Sequence, residues 1–198
     1  MASETLNMEI VDEIWMIPCG SRPDKPSLLS ADHRLEMCRR AVLDFFPKDY
    51  PVKVDGIEVE NGSQIKTYDL LQKLKQLHGP KYDFNFMIGS DLVPKLHLYH
   101  EKMISDVDFI IFNRLGYENV FDGSPKDYPM PHNYKLIDSQ HSLIGMICST
   151  EVRKRIAESR LSHKNEKVTA ANLFLKIGGL VSKTTIEYIN ENSLYVND

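Results

Sequence analysis

The sequence predicts an α/β fold in which a parallel β-sheet is covered by helices and a small helical cluster ends the chain. Two patterns indicate it: short, uninterrupted apolar runs alternate with amphipathic segments of helical period, and the chain after residue 150 keeps only the helical pattern. Uninterrupted apolar runs are typical of strands covered on both faces, as in a parallel sheet. A length of 198 residues suits a single domain, spanning 1–198, with one core.

The elements follow from these patterns in chain order. Strands are predicted at Glu13–Pro18, Val52–Val54, Phe84–Ile88, Phe109–Phe112 and Ile144–Ile147. Helices are predicted at His33–Phe46 and Thr67–His78, because their apolar residues recur at steps of three and four, and also at 151–160, Lys167–Ile177 and Lys183–Glu191. The segment Leu115–Lys135 contains three prolines, which predicts a long surface loop of the kind that often forms a lid or a binding segment.

Composition excludes several classes of protein. The net charge of −4 argues against a protein built to hold nucleic acid, which is more often basic. No apolar run approaches the roughly 18–20 residues that cross a bilayer, so no membrane partner is expected. Cys19, Cys38 and Cys148 are odd in number and lie in apolar runs, which predicts buried reduced thiols and a cytoplasmic location, with the nucleus not excluded. Composition is compatible with a homo-oligomer and does not decide the oligomeric state.

The turn at residues 145–155 carries the clearest chemical signal. A predicted strand ends at Ser149 and Thr150, which are good N-cap residues, and a helix follows. A helix start offers free backbone N–H groups and the positive end of the helix dipole, and Arg153 on the first turn could bind a phosphate bidentately. The turn therefore indicates a phosphate site. The alternative is a capped helix with a solvated basic face.

Two further turns carry weaker signals. Gly89 would allow close approach of the backbone, and Asp91 could accept hydrogen bonds from a ribose or an amide. The loop after the first strand contains Lys25, which could meet a phosphate. The alternatives are a helix-capping turn and a polar surface loop. His97 and His100 have helical spacing, but no further ligand residue completes a site, so no metal site is predicted in the protein.

Taken in order, these motifs resemble the nicotinamide/nicotinate mononucleotide adenylyltransferases over most of the chain. The family's Ile-Ser-Ser-Thr-x-x-Arg motif is similar to residues 147–153, its Gly-x-Asp turn to residues 89–91, and its Tyr-Thr-x-x-Thr-Leu helix start to residues 66–71. Its basic loop and Ser-x-x-His-Arg-Leu-x-Met helix resemble residues 24–37, and its usual ending resembles Tyr188–Tyr195.

The resemblance implies a Rossmann-like, doubly wound parallel sheet and adenylyl transfer from ATP to the pyridine mononucleotide, with Mg²⁺ accompanying ATP. The product would be NAD or deamido-NAD, together with pyrophosphate. By resemblance, ATP is bound by Ser149, Thr150, Arg153 and Gly89, a phosphate by Lys25, and the mononucleotide by Thr67, Asp91 and Tyr99. Tyr99 stands where the family often has a stacking tryptophan. No residue is assigned a catalytic role, and the amide and acid forms of the mononucleotide are not distinguished.

The chain departs from the family at its start. The glycine-rich turn and the His-x-Gly-His motif that follow the family's first strand have no counterpart here. We therefore expect an N-terminally truncated domain that lacks a central strand. Two alternatives stay open: a sister adenylyl- or cytidylyltransferase of the pantetheine-phosphate type, and a nucleotide-binding remnant without turnover.

Overall fold

Two parallel β-sheets organise this computed structural model, which describes residues 1–114, 116–137, 149–162 and 169–195. In the first sheet, β1 (Ile14–Met16) pairs with β2 (Val52–Val54). In the second, the order is β3 (Asn85–Gly89), β4 (Asp108–Phe112) and β5 (Asn133–Ile137), with Gly89, Phe112 and Ile137 in register. All pairings are parallel, which confirms the predicted sheet type.

The prediction of a loop over Leu115–Lys135 was wrong in part. A short 3₁₀ helix covers Glu118–Phe121, and β5 begins at Asn133. The first four residues of β5 are exposed, so the strand has no continuous apolar run by which it could be recognised. The strand predicted at Ile144–Ile147 lies outside the described residues.

The chain divides into two compact units, one formed by Met1–Gln64 with Ile147–Asp198 and the other by Ile65–Met146. In the described residues, β1 pairs only with β2, and β3 only with β4. The predicted single domain and the expected loss of a central strand both stay predictions.

The first unit contains the predicted helical cluster. Its helices are α1 (Ala2–Asn7), α2 (Ala31–Phe45) and α3 (Ile57–Glu60), followed near the chain end by α6 (Ser149–Ser162), α7 (Ala170–Ile177) and α8 (Lys183–Glu191). The cluster core is formed by buried aliphatic side chains, namely Ile156, Leu173, Ile177, Ile186, Ile189 and Leu194. A capping box between Thr169 and Asn172 fixes the start of α7.

The second unit places its helices around β3 and β4. These are α4 (Thr67–His78), a 3₁₀ helix over Ser90–Leu98 and α5 (Met103–Asp106). Residues 109–112 of β4 are all buried, as expected for a strand covered on both faces. Their core partners include Leu71, Ile88, Leu96 and Met103. This packing fixes the carboxyl ends of β3 and β4, where the next polar residues follow.

Two other sequence expectations concern membranes and thiols. In the described part of the chain, none of the helices combines the length and the apolar character needed to cross a membrane. Cys19 and Cys38 are free thiols, but they are half-buried rather than buried. Burial raises the pKa of Cys38 above its ordinary value. Cys148 lies outside the described residues.

Candidate functional site

The carboxyl ends of β3 and β4 bring three polar side chains together. Asp91 follows β3 by two residues, and Arg114 follows β4 by two residues. The Arg114 Nη1 donates to Asp91 Oδ2 at 3.1 Å. Ser90, which is fully buried, accepts a hydrogen bond from the Arg114 backbone N–H at 2.9 Å through its Oγ. The turn after each strand is therefore tied to the turn after its neighbour.

Gly89 makes this arrangement sterically feasible. A Cβ at position 89 would lie 2.6 Å from Arg114 Cδ and closer still to Asp91 Oδ1. Any side chain at position 89 would therefore displace the ion pair. The sequence predicted that Gly89 allows close backbone approach; the structure shows that the approaching groups include two side chains of the protein itself.

The start of α6 holds the predicted phosphate-binding side chains. The helix begins at Ser149, so Ser149 and Thr150 are its first two helical residues rather than its N-caps, and both are exposed. Arg153 Nη2 donates to Thr150 Oγ1 at 3.4 Å. Among the ion pairs of the described residues, none involves Arg153.

The neighbouring acidic residue on α6 does not neutralise Arg153. Glu151 accepts a hydrogen bond from Arg155 Nε at 2.7 Å, and this bond lowers the pKa of Glu151. Two exposed hydroxyls at a helix start and an arginine that forms no ion pair among the described residues make this end of α6 suited to an anion.

The loop that carries Lys25 is held by Arg34 of α2. The Arg34 guanidinium donates to the carbonyl oxygens of Leu29, Cys19 and Gly20 at 3.0, 2.6 and 2.8 Å. Gly20 also donates its backbone N–H to the buried Glu58 at 3.1 Å. A Cβ at Gly20 would lie 2.7 Å from the Glu58 carbonyl oxygen, so the loop packs tightly at this point.

Lys25 lies in this loop, faces solvent and forms no ion pair among the described residues. A cavity of about 280 Å³ is lined by loop and α2 residues that include Arg22, Lys25 and Arg34. Arg22 is bound bidentately by Asp24 at 2.8 and 2.6 Å, which lowers the pKa of Asp24 to about 2. Arg34 is saturated by carbonyl groups. No ion pair of the described residues involves Lys25, which is exposed.

Thr67 and Tyr99 lie next to a stacked pair of rings. Thr67 is the first residue of α4 and is half-buried, whereas Tyr99 is 49% exposed. Tyr68 stacks on His100 with ring centroids 4.2 Å apart and planes 2° from parallel, and its hydroxyl donates to Asp106 Oδ2 at 3.0 Å. The stack joins the start of α4 to the residue that follows Tyr99, so Thr67 and Tyr99 belong to one local structure.

Of the two histidines considered as a metal pair, one is exposed and the other makes a hydrogen bond and a ring stack. His97 is exposed, and His100 Nδ1 accepts from the Lys102 backbone N–H at 3.1 Å while its ring stacks on Tyr68. Across the described ranges, no three His, Cys, Asp or Glu side chains come together as metal ligands.

The predicted residues fall into the two units separately. Lys25, Ser149, Thr150 and Arg153 belong to the first unit, whereas Thr67, Gly89, Asp91 and Tyr99 belong to the second. Their roles toward nucleotides stay predictions. Sequence reasoning missed Arg114 and Arg34. Arg114 could have been found by the rule that selected Asp91, because it lies two residues after the apolar run 109–112.

Comparisons with known proteins agree with one another. A protein of Oceanobacillus iheyensis named probable nicotinate-nucleotide adenylyltransferase is 34% identical over 120 residues, which is 59% of this chain and 60% of that protein. A protein of Lactiplantibacillus plantarum with the same name is 26% identical over 199 residues, covering 98% of this chain and 79% of that protein. No family model matches.

Solved structures give the same result. The Plasmodium falciparum nicotinic acid mononucleotide adenylyltransferase complexed with NaAD has a TM-score of 0.69 and 28% identity, and the match covers 100% of this chain and 91% of that one. The structure of that enzyme complexed with APC has a TM-score of 0.68 and 27% identity.

Proposed function

We propose that the chain is a nicotinate mononucleotide adenylyltransferase, which transfers the adenylyl group of ATP to nicotinate mononucleotide. The products would be deamido-NAD and pyrophosphate, in the biosynthesis of NAD. The observation that carries the proposal is a shared fold over the whole chain with a structure that holds NaAD, the acid form of the dinucleotide. As the cysteine pattern predicts, a cytoplasmic location is part of the proposal.

The reaction needs positioning and charge neutralisation more than covalent participation of the protein. A phosphate oxygen of the mononucleotide attacks the α-phosphorus of ATP, the new P–O bond forms, and the bond to the β-phosphate breaks to release pyrophosphate. Two anionic groups have to approach each other, so positive groups around them lower the barrier. Ser149, Thr150 and Arg153 are proposed to bind the ATP phosphates, and Lys25 to meet a phosphate from its loop.

The acceptor is proposed to bind in the second unit. Asp91 would accept a hydrogen bond from it, and Thr67 would lie near the pyridine. Tyr99, whose ring is half exposed, offers an aromatic face on which a pyridine could stack, as the tryptophan does in the family. Gly89, which lies in the same turn as Asp91, is proposed to bind ATP.

Mg²⁺ is proposed to arrive with ATP. Mg²⁺ is usually held by substrate phosphates and water with one or two carboxylates, rather than by a cage of protein ligands. Lys25, which is exposed, and Arg153, which is half-buried, would bind the phosphates that carry the ion. When bound, the ion would neutralise phosphate charge.

The proposal is tested by incubating the chain with ATP, Mg²⁺ and nicotinate mononucleotide and measuring deamido-NAD and pyrophosphate. Nicotinamide mononucleotide and phosphopantetheine serve as competing acceptors. We expect Arg153→Ala to lower kcat/KM at least about tenfold, because a charged contact to phosphate is lost. Lys154→Ala is the matched control, since it removes one exposed positive charge from the neighbouring position of α6.

Two results would contradict the proposal. Transfer to phosphopantetheine in preference to either mononucleotide would favour the sister enzyme, although the helix start at Thr67 and the ending Tyr188–Tyr195 favour the pyridine substrate. Binding of both nucleotides without any dinucleotide formed would favour the remnant without turnover.

A further inference from the structure

We infer that Cys19 and Cys38 are a redox-sensitive thiol pair, which peroxide converts to a disulfide that displaces the loop carrying Lys25. The formation of the disulfide depends only on the structure of the first unit. Its effect on catalysis rests on the proposed function, in which Lys25 meets a phosphate.

The two cysteines share Arg34 as a neighbour. Arg34 Nη1 donates to the Cys19 sulfur at 2.9 Å and to the Cys19 carbonyl oxygen at 2.6 Å. Cys38 follows Arg34 by four residues on α2, and residues four apart lie on the same face of a helix with their Cβ atoms about 5–6 Å apart. The face of α2 that holds the loop after β1 therefore carries the second thiol as well.

The electrostatics of Cys38 also place Cys19 close to it. Burial raises the pKa of Cys38 above its ordinary value, the positive charge of Arg34 lowers it, and a negative charge on Cys19 raises it. The guanidinium and the first thiol thus both lie near enough to act on the second thiol.

The surroundings give the two thiols different roles. The thiolate form reacts with peroxide, and reactive cysteines are typically partly exposed and next to a cationic side chain. Cys19 is half-buried and has the Arg34 guanidinium at its sulfur, whereas the raised pKa of Cys38 keeps that thiol protonated at neutral pH. Cys19 is therefore the thiol that peroxide oxidises, and Cys38 is the thiol that reacts with the product.

The reaction balances with hydrogen peroxide as the oxidant. The Cys19 sulfur attacks one peroxide oxygen, the O–O bond breaks and hydroxide leaves, so that a sulfenic acid forms. The Cys38 sulfur then attacks the Cys19 sulfur, the S–O bond breaks, and the oxygen leaves as water with the thiol proton. Two thiols together lose two electrons and two protons, and one peroxide is reduced to two waters. A dithiol reductant reverses the change by thiol–disulfide exchange.

The disulfide competes with the contacts that hold the loop. It takes the Cys19 sulfur away from Arg34, whose guanidinium also holds the carbonyl oxygens of Cys19 and Gly20. The backbone has little room to absorb the change locally, because a Cβ at Gly20 would lie 2.7 Å from the Glu58 carbonyl oxygen. The displacement is therefore passed along the loop toward Lys25, whose backbone N–H donates to the Arg22 carbonyl oxygen at 3.0 Å.

The test uses the full chain with Cys148→Ser, which removes the third thiol of the sequence. Cys19→Ser and Cys38→Ser are added singly to that background as matched variants. Each protein is treated with hydrogen peroxide at neutral pH, with and without dimedone, which traps a sulfenic acid. Remaining thiols are then alkylated, and unreduced intact mass and peptide mapping identify the products. Circular dichroism shows which variants are folded.

We expect the background chain to lose two hydrogens and to yield a peptide in which Cys19 and Cys38 are cross-linked. Cys38→Ser should stop at a sulfenic acid on Cys19, which dimedone traps. Cys19→Ser should keep Cys38 reduced under the same treatment.

The catalytic effect is measured on the same samples. Because a small displacement of a positioning group is costly in catalysis, we expect the disulfide to lower kcat/KM for deamido-NAD formation about tenfold. Dithiothreitol should restore it, and peroxide should leave the kcat/KM of Cys19→Ser unchanged.

Contrary outcomes separate the two levels of the argument. Thiols that all survive peroxide, a cross-link between two chains, or a sulfenic acid on Cys38 in place of Cys19 would refute the thiol pair. A Cys19–Cys38 disulfide with an unchanged kcat/KM would refute the displacement of the loop. If the reduced chain forms no dinucleotide, the proposed function fails together with the catalytic effect, whereas the mass and the peptide map still decide whether the disulfide forms.

Discussion

Arg34 illustrates how a single side chain can organise a loop, here the loop that carries Lys25. Three carbonyl oxygens and the Cys19 sulfur surround its guanidinium, at 2.6–3.0 Å. The planar fork of an arginine can serve several acceptors at once, which the single ammonium of lysine cannot. The conformation of the loop that presents Lys25 therefore depends on an arginine whose guanidinium binds backbone carbonyl groups of the loop.

Replacing Arg34 tests this dependence. We expect Arg34→Met to lower the free energy of unfolding by about 2–3 kcal/mol, because partly buried carbonyl groups lose charged donors. For a chain of this size the melting temperature should fall by about 5–10 °C. Arg34→Lys should recover little of the lost stability. Thermal melts followed by circular dichroism measure the effect, with Arg39→Met on the same helix as the control; equal melting temperatures for all variants would contradict the assignment.

At the scale of elements, a carboxylate of α2 caps the start of α8. Asp44 Oδ2 accepts from the Thr184 backbone N–H at 2.9 Å and from its hydroxyl at 2.8 Å. Ser182, the N-cap of α8, makes no side-chain cap bond of its own and donates instead to Thr185. The backbone hydrogen bond from Thr184 lowers the pKa of Asp44 below its ordinary 3.8. The positive end of the α8 helix dipole also stabilises the charged carboxylate of Asp44.

This contact makes part of the stability depend on pH. Because the pKa of Asp44 is lower in the folded chain than in the unfolded chain, its contribution is complete above the ordinary value of 3.8 and is lost as the pH falls through the lowered value. We expect Asp44→Ala to cost about 0.5–1 kcal/mol at neutral pH, a small value because the carboxylate is exposed and screened. Urea titrations at several pH values measure it. A cost that persists undiminished at low pH would refute the charge-dependent cap.

At the scale of the whole molecule, the net charge of −4 is distributed unevenly. The proposed phosphate-binding positions, Lys25 and Arg153, are cations without an acidic partner among the described ion pairs, whereas Arg22 and Arg155 are neutralised by neighbouring carboxylates. An overall acidic chain thus presents local positive groups where anions are expected.

A single domain over 1–198 remains our proposal for the whole chain. Each unit contains only part of the chain, and a shorter chain buries a smaller fraction of its surface on folding than a longer one does. We therefore expect the two units to unfold together. Scanning calorimetry should show one transition, with an enthalpy of about 140 kcal/mol near 60 °C that equals the van't Hoff enthalpy. Two resolved transitions, or a calorimetric enthalpy well above the van't Hoff value, would refute it.

The elements that the sequence predicted well share one property. The strand at 109–112 is buried throughout, the strand at 84–88 is partly buried, and the helices at 67–78 and 183–191 bury an apolar stripe. Apolar patterns of this kind can be recognised from the residue types. Strand β5 was missed because its first four side chains are exposed, so its pairing to β4 depends on backbone hydrogen bonds that any residue can make.

The sequence by itself determined the α/β class, the parallel sheet, the terminal helical cluster and the order of the motifs that resemble those of the adenylyltransferases, because these depend on local periodicity and on residue types at turns. Only the tertiary structure decided that Arg114 faces Asp91, that Gly89 makes room for both, and that Arg34 holds the Lys25 loop. These contacts join residues that are distant in the chain, and their distances are set by strand register and core packing, which no local pattern encodes.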